Sequence, residues 1–564
     1  TPAPTATPAP AVAGAQRGAK RAGPIVGIDL GTTNSCAAVV RDGEVEVIPS
    51  RGGHRAIPSM VAYDPHGRLL VGHAAKAQRV VNPRHTVYGS KRLVGRPFAS
   101  PTVQECRDRF PYEIVDADGA CAVRFAGRDY TLQQITALVL REVKEVAAQA
   151  LGEPVERAVV SVPAYYNDHQ RAAVREAGEL AGLHVERIVN EPTAAALAFG
   201  HGHALRTRVL VYDLGGGTFD ASVLEIAGDV YEVISSGGDT FLGGVDFDDQ
   251  LVDHLVWRFT ERHGVPPPED REAWQRIRDA AEELKIALSS EERAVARVPS
   301  LARAPDGTEL ALEVEVTRAE LEELTSRLVE RTLDVCREIL AVKGLSPGDV
   351  QEILLVGGQS RMPLVRRRLA EEFGREPDED VHPEEAVAIG AALLADSARR
   401  EDSVVVVDVL AMGIGVGLPG GRMATVLPRN AALPARKEYE IATTKDGQRE
   451  LELQVFQGDS HQVSECEYLG TLRIPDLPAR PRGAVRVAVE FVAGAEGLLD
   501  VTARDLASGR TAAVKLATVH TPESLREKLG IPGPQTAPRG ARPLPPPAAG
   551  QRKGLFGRLF GGRR

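Results

Sequence analysis

Val209-Leu-Val-Tyr-Asp-Leu-Gly-Gly-Gly-Thr-Phe-Asp220 runs four β-prone residues into a carboxylate, Asp213, and then into three glycines and a hydroxyl. Such a run reads as a buried strand that delivers a charge to its C-terminal edge, where ligands of α/β sheets sit. Gly215, Gly216 and Gly217 carry no side chains to hold a ligand away, so their N–H groups can surround a polyphosphate, with the Thr218 hydroxyl beside them. A glycine triplet is equally the composition of a plain hairpin turn.

A second copy shifts the balance. Pro24-Ile-Val-Gly-Ile-Asp-Leu-Gly-Thr-Thr-Asn-Ser35 repeats the order of apolar strand, Asp, Leu, Gly and hydroxyls, with Asp29 where Asp213 stands and Gly31, Thr32, Thr33 and Asn34 as the loop. Two strand-end carboxylates facing each other across a cleft suit Mg²⁺ bound through its waters, since Mg²⁺ takes few protein ligands. The pair predicts two lobes gripping one nucleotide. A third glycine turn, Ile353-Leu-Leu-Val-Gly-Gly-Gln-Ser-Arg-Met-Pro363, offers Gly357 and Gly358 as a rest for base and ribose.

In this order the motifs resemble the 70-kDa heat-shock chaperones, DnaK type, whose ATPase shares its fold with actin and hexokinase. The resemblance runs from about Ile25 to about Leu529 and includes Lys91-Arg-Leu-Val-Gly95, Val162-Pro-Ala-Tyr-Tyr-Asn-Asp168, Asn190-Glu-Pro-Thr-Ala-Ala-Ala-Leu197 and Glu385-Ala-Val-Ala-Ile-Gly-Ala-Ala392. It implies an α/β, actin-like, two-lobed ATPase domain over residues 24–400, a linker over 401–409 and an all-β peptide-binding sandwich over 410–520. ATP and Mg²⁺ are the implied cofactors, with K⁺ as a further candidate.

The resemblance also assigns roles. Lys91 reaches the γ-phosphate and orients the attacking water; Glu191 joins the metal and water network; Thr218 is the catalytic threonine; Asp220 completes a carboxylate set with Asp29 and Asp213. Glu282, Lys285 and Ser289 share one helix face by their spacing, and the family places their counterparts around adenine and ribose with Gly358, Ser360 and Arg361, while Gly244 is a further cleft contact. Val245 stands where the family usually has Glu. Pro163 and Arg171 relay the nucleotide state with Glu191, and Arg187 and Asp408 match positions of J-domain coupling. In the sandwich, Val416, Ile441, Leu451 and Leu453 match the peptide pockets, while Pro419 and Thr444 stand at the arch where DnaK-type proteins have Met and Ala.

Composition bounds the rest. The 564 residues allow two or three domains, and a net charge of −10 argues against bulk nucleic-acid binding. Five cysteines without CxxC spacing read as reduced thiols in a cytoplasm. Cys36, beside the first glycine loop, reads as a buried inert thiol, with reactivity as the alternative. No apolar run approaches the ~20 residues of a membrane span.

Residues 1–23, rich in Thr, Pro and Ala, read as a disordered tail or a transit peptide. Helices are expected over 131–150, 168–181 and 271–288. Gly415-Val-Gly-Leu-Pro-Gly420 spells GxGxxG, but no helix follows it, so strand ends and a turn are expected. Four valines at 404–407 read as an ordinary strand or, by the resemblance, as the linker that the family docks on the ATPase when ATP is bound. Beyond it Leu451, Leu453 and Val455 alternate, as do Val485, Val487, Val489 and Phe491, the pattern of antiparallel strands with one buried face.

Thr521 to Leu529 starts like a helix, which Gly530-Ile-Pro-Gly-Pro534 ends, leaving a stub of the family's lid over 521–530. A Pro-rich spacer leads to Leu555, Phe556, Leu559 and Phe560 among basic residues, a weak membrane or protein hook or a disordered end. Two functions remain open: an ATP-dependent chaperone binding extended apolar segments of unfolded clients, served by a J-domain co-chaperone and a nucleotide exchange factor, or a nucleotide-switched adaptor holding one dedicated partner.

Overall fold

The computed structural model describes residues 23–203, 206–378, 381–400, 404–507 and 511–513. The lid stub, the Pro-rich spacer, the basic tail and nearly all of the N-terminal tail lie outside the described residues.

The strand Arg206–Leu214 is flanked by Glu352–Val356 in parallel and by Phe219–Ala227 in antiparallel pairing. Val230–Asp239 and Val405–Val407 complete this five-stranded sheet. The first copy is built the same way: Ile25–Asp29 lies between Arg157–Val162, parallel, and Asn34–Arg41, antiparallel, with His184–Asn190 and Glu44–Ile48 outside them. Each glycine loop is therefore a hairpin turn, Asp213 pairing with Asp220 and Leu214 with Phe219 across the second one. Turn and ligand loop are one structure, because the hairpin tip is what the sheet projects past its edge.

Each lobe has its own core. In the first, the helix Leu132–Leu151, opened by a Thr131–Gln134 capping box and closed at left-handed Gly152, packs Ile135, Val139, Leu140 and Val143 against the sheet. In the second, Gly244–His263, Arg271–Leu288, Arg318–Ala341 and Pro363–Phe373 bury their apolar stripes around Tyr212, Phe219 and Val223. The expected helices over 131–150, 168–181 and 271–288 appear as Leu132–Leu151, Asp168–Leu180 and Arg271–Leu288.

Between the lobes run two alanine-rich helices, Glu191–Gly200 and Ala386–Arg400. Their small residues are a packing requirement: a Cβ on Gly390 would lie 1.7 Å from the Ala194 carbonyl oxygen, and one on Gly27 would lie 2.1 Å from the Ala392 nitrogen.

The C-terminal part is a sandwich of two antiparallel sheets. One orders Arg422–Leu427, Ile414–Leu418, Leu451–Gln457 and Glu467–Ile474; the other orders Ala435–Ala442, Arg486–Ala493, Leu499–Asp505 and Thr511–Ala513. The GxGxxG stretch is the strand Ile414–Leu418 followed by a turn at left-handed Gly420 and Gly421. The alternating residues Leu453, Val455, Val487, Val489 and Phe491 meet in the core.

The same core takes in several of the residues expected at the peptide pocket. Val416, Leu451 and Leu453 are buried in the sandwich interior and Ile441 is half-buried against it, while Pro419 and Thr444 are exposed. The inward-facing strand positions among them pack against residues of the opposite sheet.

The linker valines form an edge strand on the second lobe, Val405, Val406 and Val407 pairing in parallel with Val230, Tyr231 and Glu232. Among the described residues no helix is long and apolar enough to cross a membrane.

Candidate active site

The strand ends of both sheets and the third glycine turn open on one cleft of about 560 Å³. Asp29 and Asp213 stand at equivalent strand ends, and the hairpin tips above them almost touch: a Cβ at Gly216 would lie 2.0 Å from the Thr33 hydroxyl. Glycine is the residue that lets these loops approach so closely. Gly31, Thr32, Thr33, Asn34, Gly215, Gly216 and Thr218 line the cleft at this point.

On the floor, the Lys91 ammonium lies 2.5 Å from Glu191 Oε1, and the two residues are 7% and 5% exposed. The Tyr166 hydroxyl donates to the Lys91 carbonyl at 2.7 Å, and the Ser161 hydroxyl donates to Asp29 Oδ1 at 3.0 Å. Burial pulls the Lys91 pKa down, but Glu191 and Asp29 more than offset it, so the ammonium is held charged. Burial and repulsion from Glu191 push Asp29 and Asp220 up to about 7, and Asp213 is raised by burial and by Glu191, Asp220 and Asp29.

Four carboxylates, three of them buried and Asp29 partly so, thus crowd around one lysine, an environment short of positive charge. Among the described residues no group of three or more His, Cys, Asp or Glu side chains is placed to grip a metal ion directly. The donor set fits a hydrated divalent cation, held by Asp29 and Asp213 through its waters.

The structure brings most of the sequence-predicted residues to this cleft and turns three aside. Gly217 directs its carbonyl to Arg92 Nε at 2.9 Å; Asp220 lies beneath the floor, accepting from the Tyr165 N–H at 3.1 Å; Ser360 donates to the Gly357 carbonyl at 2.6 Å and stabilises that turn. None of the three is on the cleft wall. Even spacing along a motif does not reveal which way successive residues face around a tight turn. Gly244, Glu282, Lys285, Ser289, Gly357, Gly358 and Arg361 do line it. Lys285 is also anchored, at 2.8 Å from Asp248 and 2.9 Å from the Gly244 carbonyl. Cys36 lines the cleft as a buried thiol, pushed up to about 12 by burial, which keeps it protonated.

Behind the floor a polar chain leads outward. Arg171, buried, donates to the Tyr166 and Ala164 carbonyls, to Asn190 Oδ1 at 2.8 Å and to the Glu496 carbonyl of the sandwich at 3.2 Å. Its neighbour Arg175 pairs with the Glu496 carboxylate, and the Leu499 N–H donates to Asp168 at 2.8 Å. A second contact region joins Arg429 to Glu338 at 2.6 Å and the Tyr165 hydroxyl to Asp459 at 3.2 Å. Asp408 accepts from the Thr193 hydroxyl at 2.9 Å, fastening the linker's end to the helix that begins with Glu191, while Arg187 sits half-buried on the strand His184–Asn190.

Sequence reasoning passed over Tyr165, Tyr166, Thr193 and Glu496 as individuals. The first three lie inside motifs that had been singled out, but the division of labour between adjacent tyrosines, one facing Lys91 and one facing the sandwich, depends on backbone direction. Glu496, in a loop of a different domain, carried no signal at all.

Two like sheets closing glycine hairpins over a carboxylate cleft, with an antiparallel sandwich docked on the flank, define a two-lobed α/β protein with a second, all-β domain. The chain belongs to the 70-kDa heat-shock family: the family model described as Hsp70 protein matches residues 25–528. Members of that family are ATPases that bind ATP with Mg²⁺, pair an actin-like ATPase with a β substrate-binding domain, and act as chaperones on unfolded clients together with co-chaperones.

Proposed function

We propose that this protein is an ATP-driven chaperone of the DnaK type in which ATP binding releases an extended apolar segment from the sandwich and hydrolysis retains it. The observation that carries this is the chain from Glu191, bonded to Lys91, through its neighbour Asn190 to Arg171 and on to Glu496 of the sandwich. A change at the floor of the cleft reaches the sandwich through three side chains.

In this scheme the glycine hairpins donate N–H groups to the phosphates, Lys91 sets a fixed positive charge against the transferred phosphoryl group, and Thr218 presents its hydroxyl at the same point. Bound Mg²⁺ would neutralise phosphate oxygens and crowded carboxylates together. K⁺ is a further proposed cofactor on the strength of the resemblance alone. The linker strand on Val230–Glu232 corresponds to the docked arrangement expected with ATP. A J-domain partner would act at Arg187 and Asp408, a nucleotide exchange factor would complete the cycle, and five unpaired cysteines support a cytoplasmic location. Gly530 to Pro534 supports a shortened lid, hence rapid release.

Burial of Val416, Leu451 and Leu453 favours the second function, an adaptor whose sandwich holds a dedicated partner by its outer surface. The test is the dissociation rate of a fluorescent apolar peptide in ADP and in ATP. Acceleration by ATP in the wild type, lost in Arg171→Ala while that variant still binds ATP, supports the chaperone and the relay. Acceleration that survives Arg171→Ala removes the relay, and peptide binding in neither nucleotide hands the sandwich to the adaptor.

A further inference from the structure

We infer that the basic, apolar segment 551–564 of this chain docks on an acidic tryptophan face of the second lobe, the outer side of the helix Gly244–His263. The helix buries Phe247, Leu251, Leu255 and Phe259, one stripe at four-residue spacing, in the lobe's core. Asp253, Trp257 and Glu261 follow the same spacing two residues out of step, about 200° round the helix, so they face water. Trp257 is 56% exposed, and it is the only exposed Phe, Tyr or Trp side chain among the described residues. The His254 ring, 5.8 Å from the indole, braces it on the helix surface. An indole on the side away from the core adds nothing to that core, whereas a braced, exposed aromatic is the kind of side chain that anchors an interface. None of the three face residues lines the nucleotide cleft.

Charge decides what covers it. The helix's own cations are engaged elsewhere: Arg258 lies 3.9 Å from Glu320, and Arg262 donates to the Glu313 carbonyl at 3.2 Å. Asp253 and Glu261 have no ion-pair partner among the described residues, although each stands one turn, about 6 Å along the axis, from the indole. The face therefore suits a partner with an apolar body and positive charge on both sides of it. Residues 551–564 have that composition: Leu555, Phe556, Leu559 and Phe560 among five basic residues and no acid. Lys553 and Arg558 bracket Leu555 and Phe556, so one apolar pair meets the indole while a cation reaches each carboxylate.

The length of chain between the two partners permits the contact. The last described residue is Ala513, and residues 514–550 span at most about 120 Å, roughly twice the breadth of a folded chain this long. Tethering holds the segment at an effective concentration of about 1 mM, so a contact too weak to persist between separate molecules is occupied within one. An anionic lipid surface attracts the same residues through the same apolar and cationic groups, and the experiment separates the two.

The test reads Trp257 in the full chain carrying Trp274→Phe, which leaves one tryptophan. At low salt, acrylamide quenching should be about twofold weaker than in the same chain carrying Leu555→Ser, Phe556→Ser, Leu559→Ser and Phe560→Ser. Asp253→Asn together with Glu261→Gln should remove that difference, and so should salt of about 0.5 M. Equal quenching of the two chains at low salt overturns the docking. Equal quenching while the intact segment alone carries the protein down with phosphatidylcholine–phosphatidylserine vesicles gives the segment to lipid and overturns it too. A difference that survives the loss of both acids places the segment elsewhere and overturns the assignment. Where Trp274→Phe does not fold, Phe556→p-benzoylphenylalanine in the otherwise wild-type chain serves. Its photo-cross-link should fall on the peptide that contains Trp257, within one molecule. A cross-link elsewhere, or only between two copies, overturns the inference.

Discussion

Gly390→Ala sets two opposed effects against each other at the crossing of the central helices. Helix propensity alone favours alanine by about 1 kcal/mol inside the helix Ala386–Arg400. Packing opposes it: the new Cβ would sit 1.7 Å from the Ala194 carbonyl oxygen, 2.4 Å from its carbon and 2.9 Å from its Cα. Those atoms are backbone of a buried helix, so no side chain can rotate away, and the helices must part by more than an ångström. Overpacking of this kind costs about 1–3 kcal/mol, and more where backbone has to move. The helix is gripped on a second side, where Gly27 meets the Ala392 nitrogen, so movement away from Ala194 presses on the first sheet. A net loss of about 2 kcal/mol or more is expected. Urea unfolding followed by far-UV circular dichroism should show a midpoint lower by roughly 0.5–1 M. ATP affinity should fall as well, because the crossing sets the spacing of the two hairpins. A midpoint that rises, as propensity alone would produce, refutes the claim that this crossing is closed to a single methyl group.

Lys91→Met removes the ammonium from the carboxylate floor and should lower single-turnover hydrolysis by about 10²–10³-fold while nucleotide still binds; a loss under about tenfold would remove Lys91 from the chemistry. The raised acids predict a pH dependence. The folded state keeps the protons of Asp29 and Asp220 up to about pH 7, whereas the unfolded chain releases them near 3.8, so their contribution favours folding at low pH and is lost as pH rises through 7. The nucleotide-free protein should therefore melt at lower temperature at pH 8 than at pH 6. Asp29→Asn should be stabilised at pH 8 and should flatten that slope, and Mg²⁺ with nucleotide should flatten it in the wild type. An unchanged slope in Asp29→Asn, measured by thermal shift, would count against the crowded floor.

The duplicated strand, aspartate and glycine loop was legible because each part is local: a β-prone run, a charge at its end and residues without side chains follow one another in the chain. The helix starts near 131 and 168 were legible for the same reason, at Thr131 and Asn167, whose side chains cap the backbone that follows them. The alanine-rich stretches at 194–196 and 391–392 were visible as motif, but their reason was not. It is the approach of one helix to another nearly two hundred positions away.

What the sequence by itself determined, then, is which segments form strands and hairpins, which residue types stand at the two matching loops, and the kinship that follows from their order. Only the tertiary structure decided that Gly217, Asp220 and Ser360 turn from the cleft, that Val416, Leu451 and Leu453 are covered by the facing sheet, and that Arg171 joins Asn190 to Glu496. The physical reason is the range of the interactions. Backbone propensity and capping act within a few residues, whereas burial, ion pairing and the pKa of a crowded carboxylate depend on groups brought together from opposite ends of the chain.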